Sequence, residues 1–223
     1  MLFRSRADRR PRSTTTRSPA SCRSGSSARK PLPRAFYLRP APAVARDLLG
    51  CIVVSRRRRA PTAGRIVEVE AYLGPEDEAS HAAFRPGSHA LFYGAGGHAY
   101  VYLNYGIHHC LNAITNPAGR PGCVLLRALE PLEGATTMAR RRGVSVDTRR
   151  LASGPGNLTQ ALGLSLRDNG ADLTRGPLVI LPPGRPRDFK IARGPRVGIT
   201  RSTALPLRFW IAGHPSVSVG RRG

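Results

Sequence analysis

Glu68 and Glu70 stand two positions apart in the run RIVEVEAYL, residues 65–73. On an extended strand, residues i and i+2 project from one face about 7 Å apart. Paired carboxylates at roughly 6.5–9.5 Å are the arrangement that hydrolyses a glycosidic bond with inversion, one acid protonating the leaving group and the other activating a water. A plain exposed strand face would produce the same spacing. Two neighbours favour chemistry. Tyr72 follows on the same face, and His81 lies about two helical turns beyond Pro75 if a helix starts there. Between them, Gly74-Pro75-Glu76-Asp77-Glu78 has the pattern of a helix start, with Pro in the first position and acids that complement the helix dipole. These three acids need no further role.

A second chemically rich stretch is HAYVYLNYGIHHCLN, residues 98–112. Tyr100 and Tyr102 share a face by strand alternation, and Asn104-Tyr105-Gly106 reads as a turn because Asn and Gly tolerate positive φ. Tyr105 is then the tip of a hairpin, either an incidental surface aromatic or a wedge for something stacked. His108 and His109 have no carboxylate or cysteine at ligand spacing, so no metal is expected. His89, His98 and His214 sit beside small or turn-forming residues and read as loop histidines. Arg127 interrupts the apolar run CVLLRAL, where a guanidinium needs an acid or a phosphate.

The elements that would position these groups are mostly strands. Ala41–Leu49 has helical spacing and leads into the β-rich run Cys51–Val54. GRIVEVEAYL alternates, with Ile66, Glu68 and Glu70 on one face and Val67 and Val69 on the other. HAYVYLNYGIHHCLNAIT reads as two strands and GCVLLRAL as a buried one; GPLVIL, PRVGIT and LPLRFWIAG add short strands. EPLEGATTMARRR and NLTQALGL read as helices, the second capped by SGPGN. Strands with irregularly interspersed helices and no repeat predict an α+β fold.

The 223 residues carry 36 Lys+Arg against 13 Asp+Glu, a formal charge of +23, and only Lys30 and Lys190 are lysine. Such a surface favours a polyanion, since neutralising phosphates releases counterions; an Arg-, Ala-, Gly- and Pro-rich genome would also contribute. No apolar run approaches the roughly 18 residues of a membrane span. Cys22, Cys51, Cys110 and Cys123 form no C-x-x-C pair and read as free thiols in a reducing compartment, without a disulfide framework or zinc site. Residues 1–34 are rich in Arg, Ser, Thr and Pro and read as a disordered basic arm. An organellar transit peptide or an overextended start has the same composition, and the segment lacks the apolar stretch expected of a secretory signal. The folded domain is expected over 35–223.

Five collinear segments, EVEAYLGPEDEASH, AYVYLNYGIHHCLN, CVLLRALEPLEG, SGPGNLTQALG and PLRFWIAGHPSVS, resemble the alkyladenine (3-methyladenine) DNA glycosylases from about residue 35 onward. The resemblance implies a single compact α+β domain with a curved antiparallel sheet flanked by helices. It also implies a monomeric, monofunctional glycosylase of base excision repair that flips damaged purines out of double-stranded DNA. No metal, organic cofactor or membrane is implied, and the expected location is the bacterial cytoplasm at the nucleoid, or a eukaryotic nucleus. By matching position, Glu70 resembles the general base and Arg127 the residue that helps hold the attacking water or the nearby phosphate. Tyr72, His81 and Tyr102 resemble the walls of the base pocket, and Asn112 the residue that discourages the exocyclic amino group of guanine. Tyr105 resembles the intercalating wedge, and Ser153 and Gly154 fall near the DNA backbone. Glu68 becomes a structural neighbour. One departure stands out: family members carry an Arg/Thr-rich stretch after the pocket histidine, whereas this chain reads AAFRPGSHALFYGAGGHA, with Arg85 and Ser88 as partial substitutes.

Flipping costs a few kcal/mol, offset by the wedge and by stacking worth about 1–3 kcal/mol per base. A positively charged alkylpurine is a good leaving group and is attracted to π-rich walls, so one carboxylate base suffices. Two other readings compete. A catalytically silent DNA- or RNA-binding protein on the same scaffold follows from the altered 82–99 loop and the charge. A glycosidase on free sugars follows from Glu68 and Glu70, but gives no account of the cationic surface or the tip tyrosine.

Overall fold

The computed structural model describes residues 29–57, 60–85 and 89–218; the expected arm up to residue 28, with Cys22, lies outside them, as does Ser88. The chain runs α1 (Arg34–Tyr37), α2 (Ala41–Leu48), β1 (Ile52–Ser55), β2 (Thr62–Tyr72), α3 (His81–Phe84), α4 (His89–Phe92), β3 (Ala99–Asn104), β4 (His108–Ile114), β5 (Cys123–Glu133), α5 (Ala135–Arg142) and α6 (Pro155–Leu162). A 3-10 turn at Leu166–Asp168 leads to β6 (Leu178–Leu181), β7 (Ile191–Gly194) and β8 (Arg208–Ile211). All pairings are antiparallel, in the order β3-β4-β5-β2-β1-β6, and together they form one curved α+β domain.

Strand β2 is where the sheet forks. One of its edges pairs with β5 along its length, while the other takes β1 opposite Thr62–Arg65 and β8 opposite Glu68–Glu70. The two glutamates are therefore hemmed by backbone on both sides. Glu68 lies opposite Trp210, and Glu70 opposite Arg208. The β2–β5 ladder is also irregular here: it passes from Ile66↔Leu129 to Glu68↔Ala128, then to Val69↔Leu126, leaving Val67 and Arg127 outside the register. Such bulges re-aim side chains, and this one explains why Ile66 joins Val67 and Val69 in the core rather than facing with the glutamates.

Period-two alternation sorts the remaining side chains into two layers. Val69, Ala71, Val101, Leu111, Ala113, Val124 and Leu126 pack with α2, α5 and α6 in the main core. On the opposite face of the same strands stand Tyr72, Tyr100, Tyr102, Ile114 and Cys123, in a second cluster with Ala82 and Phe92.

Four expectations change. The acids at 76–78 do not start a helix: the chain passes through turns to Ser80, which caps α3 by accepting the N–H of Ala82 at 3.3 Å. Asp77 is instead buried, and its side chain accepts the N–H groups of Leu73 and Ala79. EPLE continues β5 to Glu133, and the helix begins only at Ala135. PRVGIT is a loop rather than a strand, since the strand before it ends at Gly194. Finally, Leu32, expected in the arm, is buried in the core and donates its N–H to Ile180.

Candidate active site

The aromatic face of the sheet opens into a cavity of about 620 Å³. Its walls come from β2 (Tyr72), α3 (His81, Phe84), β3 and the hairpin (Tyr100, Tyr102, Tyr105), β4 and β5 (Asn112, Arg127) and the 197–201 loop. His81 and Tyr102 rings meet at 4.4 Å, and Tyr100 stacks on Tyr102 at 5.3 Å. Phe84 closes edge-on against His81 at 5.1 Å. The cavity is large enough for a flat bicyclic ring held between aromatic side chains.

The cavity's chemistry sits behind its wall. Glu70 is fully buried, and its three hydrogen-bond donors all line the cavity. Oε1 accepts the Val197 N–H at 2.7 Å; Oε2 accepts the Tyr72 hydroxyl at 2.9 Å and Arg127 Nη1 at 3.3 Å. Burial raises the Glu70 pKa, and Arg127, the Val197 N–H and the Tyr72 hydroxyl offset this only in part. The carboxylate is thus more basic than an exposed glutamate. Burial also pushes the Tyr72 hydroxyl well up, with the charge of Glu70 adding to it, so Tyr72 stays a donor.

Glu68 is a structural hub. It accepts Arg127 Nε at 3.2 Å, Arg208 Nε at 2.7 Å, and the Ser218 N–H and hydroxyl at 2.7 and 2.9 Å. It thereby fixes β8 and the 214–218 segment, and holds Arg127 so that one guanidinium spans both glutamates. Arg127 pairs with both carboxylates, so the two glutamates share a guanidinium rather than standing as a free acid and base on either side of a water.

His81 Nδ1 lies 2.8 Å from the Tyr100 hydroxyl. Burial, with Arg85 nearby, lowers its pKa to about 4, so the imidazole is an uncharged wall at neutral pH. Asn112 is buried with its orientation fixed: Nδ2 donates to the Tyr100 carbonyl at 3.1 Å, and Oδ1 faces Cys123 Sγ at 3.7 Å. Tyr105 stands at the hairpin tip at φ 49°, followed by Gly106 at φ 68°, and is 81% exposed. The tip thus presents Tyr105 at the cavity mouth. Ile107, two positions on, is 72% exposed and faces a separate cleft with His108 and His109. Ser153 and Gly154 precede α6, and their neighbour Pro155 reaches the cavity wall. They stand beside the mouth rather than in it. Arg85 lies over the Tyr102 ring at 5.4 Å, placing the atypical loop at the pocket's edge. Cys51, Cys110 and Cys123 are free and buried.

Sequence reading missed Arg196 and the 197–201 loop. Arg196 is buried against Asp77 and carries Val197 into contact with Glu70.

Residues 35–215 match the model of the methylpurine-DNA glycosylase family. Curated relatives named "Putative 3-methyladenine DNA glycosylase" share 47% identity in Methanoculleus marisnigri (84% of this chain, 98% of the relative) and 47% in Koribacter versatilis (86% and 94%). One from Streptomyces avermitilis shares 40% (85% and 92%). With nearly the whole described fold matched and the aromatic cavity in place, this chain belongs to the methylpurine-DNA glycosylase family and is a DNA glycosylase.

Proposed function

We propose that the protein hydrolyses the N-glycosidic bond of alkylated purines in double-stranded DNA, with Glu70 activating the attacking water. The observation that carries this reading is a buried, basic carboxylate one hydrogen bond behind an aromatic cavity whose mouth bears an exposed apolar hairpin tip.

The purine leaves the stack, Tyr105 fills the gap, and the base enters between Tyr72, His81 and Tyr102. A cationic alkylpurine gains attraction from these rings, and the uncharged His81 adds no repulsion. Glu70 takes the proton of a water aimed at the anomeric carbon, while Arg127 orients the carboxylate and balances its charge. The Nδ2 of Asn112 is committed to the Tyr100 carbonyl, which fixes the amide as a steric guard against a purine 2-amino group. Deaminated purines such as hypoxanthine fit the same cavity. The enzyme acts as a monomer without metal or organic cofactor.

The test is purified protein on duplex oligonucleotides each holding one lesion. Abasic sites are expected from the alkylated-purine duplexes and not from undamaged DNA. Salt-dependent binding with no base release from any lesion would establish the silent nucleic-acid binder instead.

A further inference from the structure

Asp77 is buried, at 1% exposure. Its carboxylate receives Arg196 in a two-pronged pair, Nη1–Oδ2 at 2.6 Å and Nη2–Oδ1 at 2.8 Å, and also accepts the N–H groups of Leu73 at 3.1 Å and Ala79 at 3.2 Å. The Arg196 side chain is fully enclosed as well. Its guanidinium carbon lies over the Tyr72 ring, 4.6 Å from the centroid. Tyr72 lines the cavity and Arg196 does not. The ring is therefore a partition, with a cation behind it and the flipped base in front.

This arrangement has an electrostatic consequence. An aromatic face attracts a cation through its quadrupole. A bare guanidinium on the far side would draw on the same electron density and repel a positively charged base across one ring. The paired carboxylate cancels that charge at hydrogen-bond distance, so the wall keeps its attraction.

We infer that Asp77 is a specificity-determining residue: by neutralising Arg196 behind Tyr72, it sets the preference for cationic N-alkylated purines over neutral ones. The inference rests on reading the cavity as the purine pocket. Asp77 touches no substrate and acts through Arg196 and Tyr72. The same pair also ties the 73–80 turns to the 195–201 loop. Loss of that tie alone would depress excision of every lesion in proportion.

The experiment measures single-turnover excision from duplexes carrying one cationic 3-methyladenine or one neutral hypoxanthine, neither of which bears a 2-amino group; where release of the neutral base is too slow, duplex affinities supply the ratio. Asp77→Asn keeps an acceptor for one of the two backbone N–H groups and is expected to lower the cationic-to-neutral ratio by about thirtyfold, the scale of one uncompensated charge across a ring at an effective dielectric of about 20. Arg196→Gln at pH 8, where the Leu73 and Ala79 N–H groups keep Asp77 ionised, is expected to raise the ratio, and it decides the matter if Asp77→Asn does not fold. The double variant should return the ratio to within about twofold of wild type, an additive cancellation of two opposite charges. Rates that fall together at an unchanged ratio in either single variant, or a double variant as skewed as Asp77→Asn, would overturn the inference. If wild type neither releases nor preferentially binds either lesion, the purine-pocket reading fails, and the inference falls with it.

Discussion

Glu70→Gln is expected to slow single-turnover excision by about 10²–10⁴-fold, the usual worth of a positioned general base, while binding lesion-bearing duplex as wild type does. Gln is nearly isosteric with Glu. Its carbonyl oxygen can still accept from Val197 or Tyr72, and Arg127 keeps Glu68, so the wall should stand. What disappears is the basic site one hydrogen bond behind the cavity. Abasic-site formation under enzyme excess, read beside duplex affinity and far-UV circular dichroism, separates chemistry from folding. Normal excision by the Gln variant would remove Glu70 from the mechanism.

Arg127→Met is expected to cost about 3–5 kcal/mol of stability, the range for breaking a buried ion pair by removing one partner. Arg127 is 7% exposed, at a break in the β2–β5 ladder between two fully buried glutamates. Glu68 would retain Arg208 and Ser218, but Glu70 would lose the one cation that pairs with it among the described residues. Burial already raises the Glu70 pKa and Arg127 opposes that effect, so the variant should push it higher still. Glu70 would then be protonated over more of the pH range, and excision should fall further than the stability loss explains. Urea unfolding with linear extrapolation measures the first effect. A loss below about 1 kcal/mol, as for an exposed pair, would contradict the buried triad as the scaffold of the site.

What could be read from the sequence was what local periodicity encodes. Tyr72 with Glu70, and Tyr100 with Tyr102, follow from alternation, and the Tyr105 tip follows from Asn-Tyr-Gly; in each case the neighbouring residues fix the geometry. Alternation failed at Ile66, because a bulge is set by the partner strand and leaves no mark in its own. The acids at 76–78 misled for a related reason. A Pro followed by acids has the form of a helix start, but the partner of Asp77 is Arg196, 119 positions away. In a chain with 36 Lys+Arg, one more arginine carries no signal of its own. The same distance hid Ser218 and Arg208 from Glu68, and the 197–201 loop from the cavity. Spacing alone left two carboxylates equivalent. The fork of the sheet distinguishes them: Glu68 is bound up with Arg127, Arg208 and Ser218, whereas the partners of Glu70 line the cavity.

An enclosed and unusually basic Glu70 must be ionised to act. Single-turnover excision by the wild-type protein from a duplex carrying one neutral purine lesion, followed across pH, tests it most directly. A neutral lesion removes titration of the leaving group from the profile. Because burial raises the Glu70 pKa, the base is lost as pH falls through a value above the ordinary 4.5. The predicted result is a rate that climbs through an apparent pKa above 4.5 and levels toward neutral pH. A flat profile across that range, or a rate that rises as the solution becomes more acidic, would contradict it.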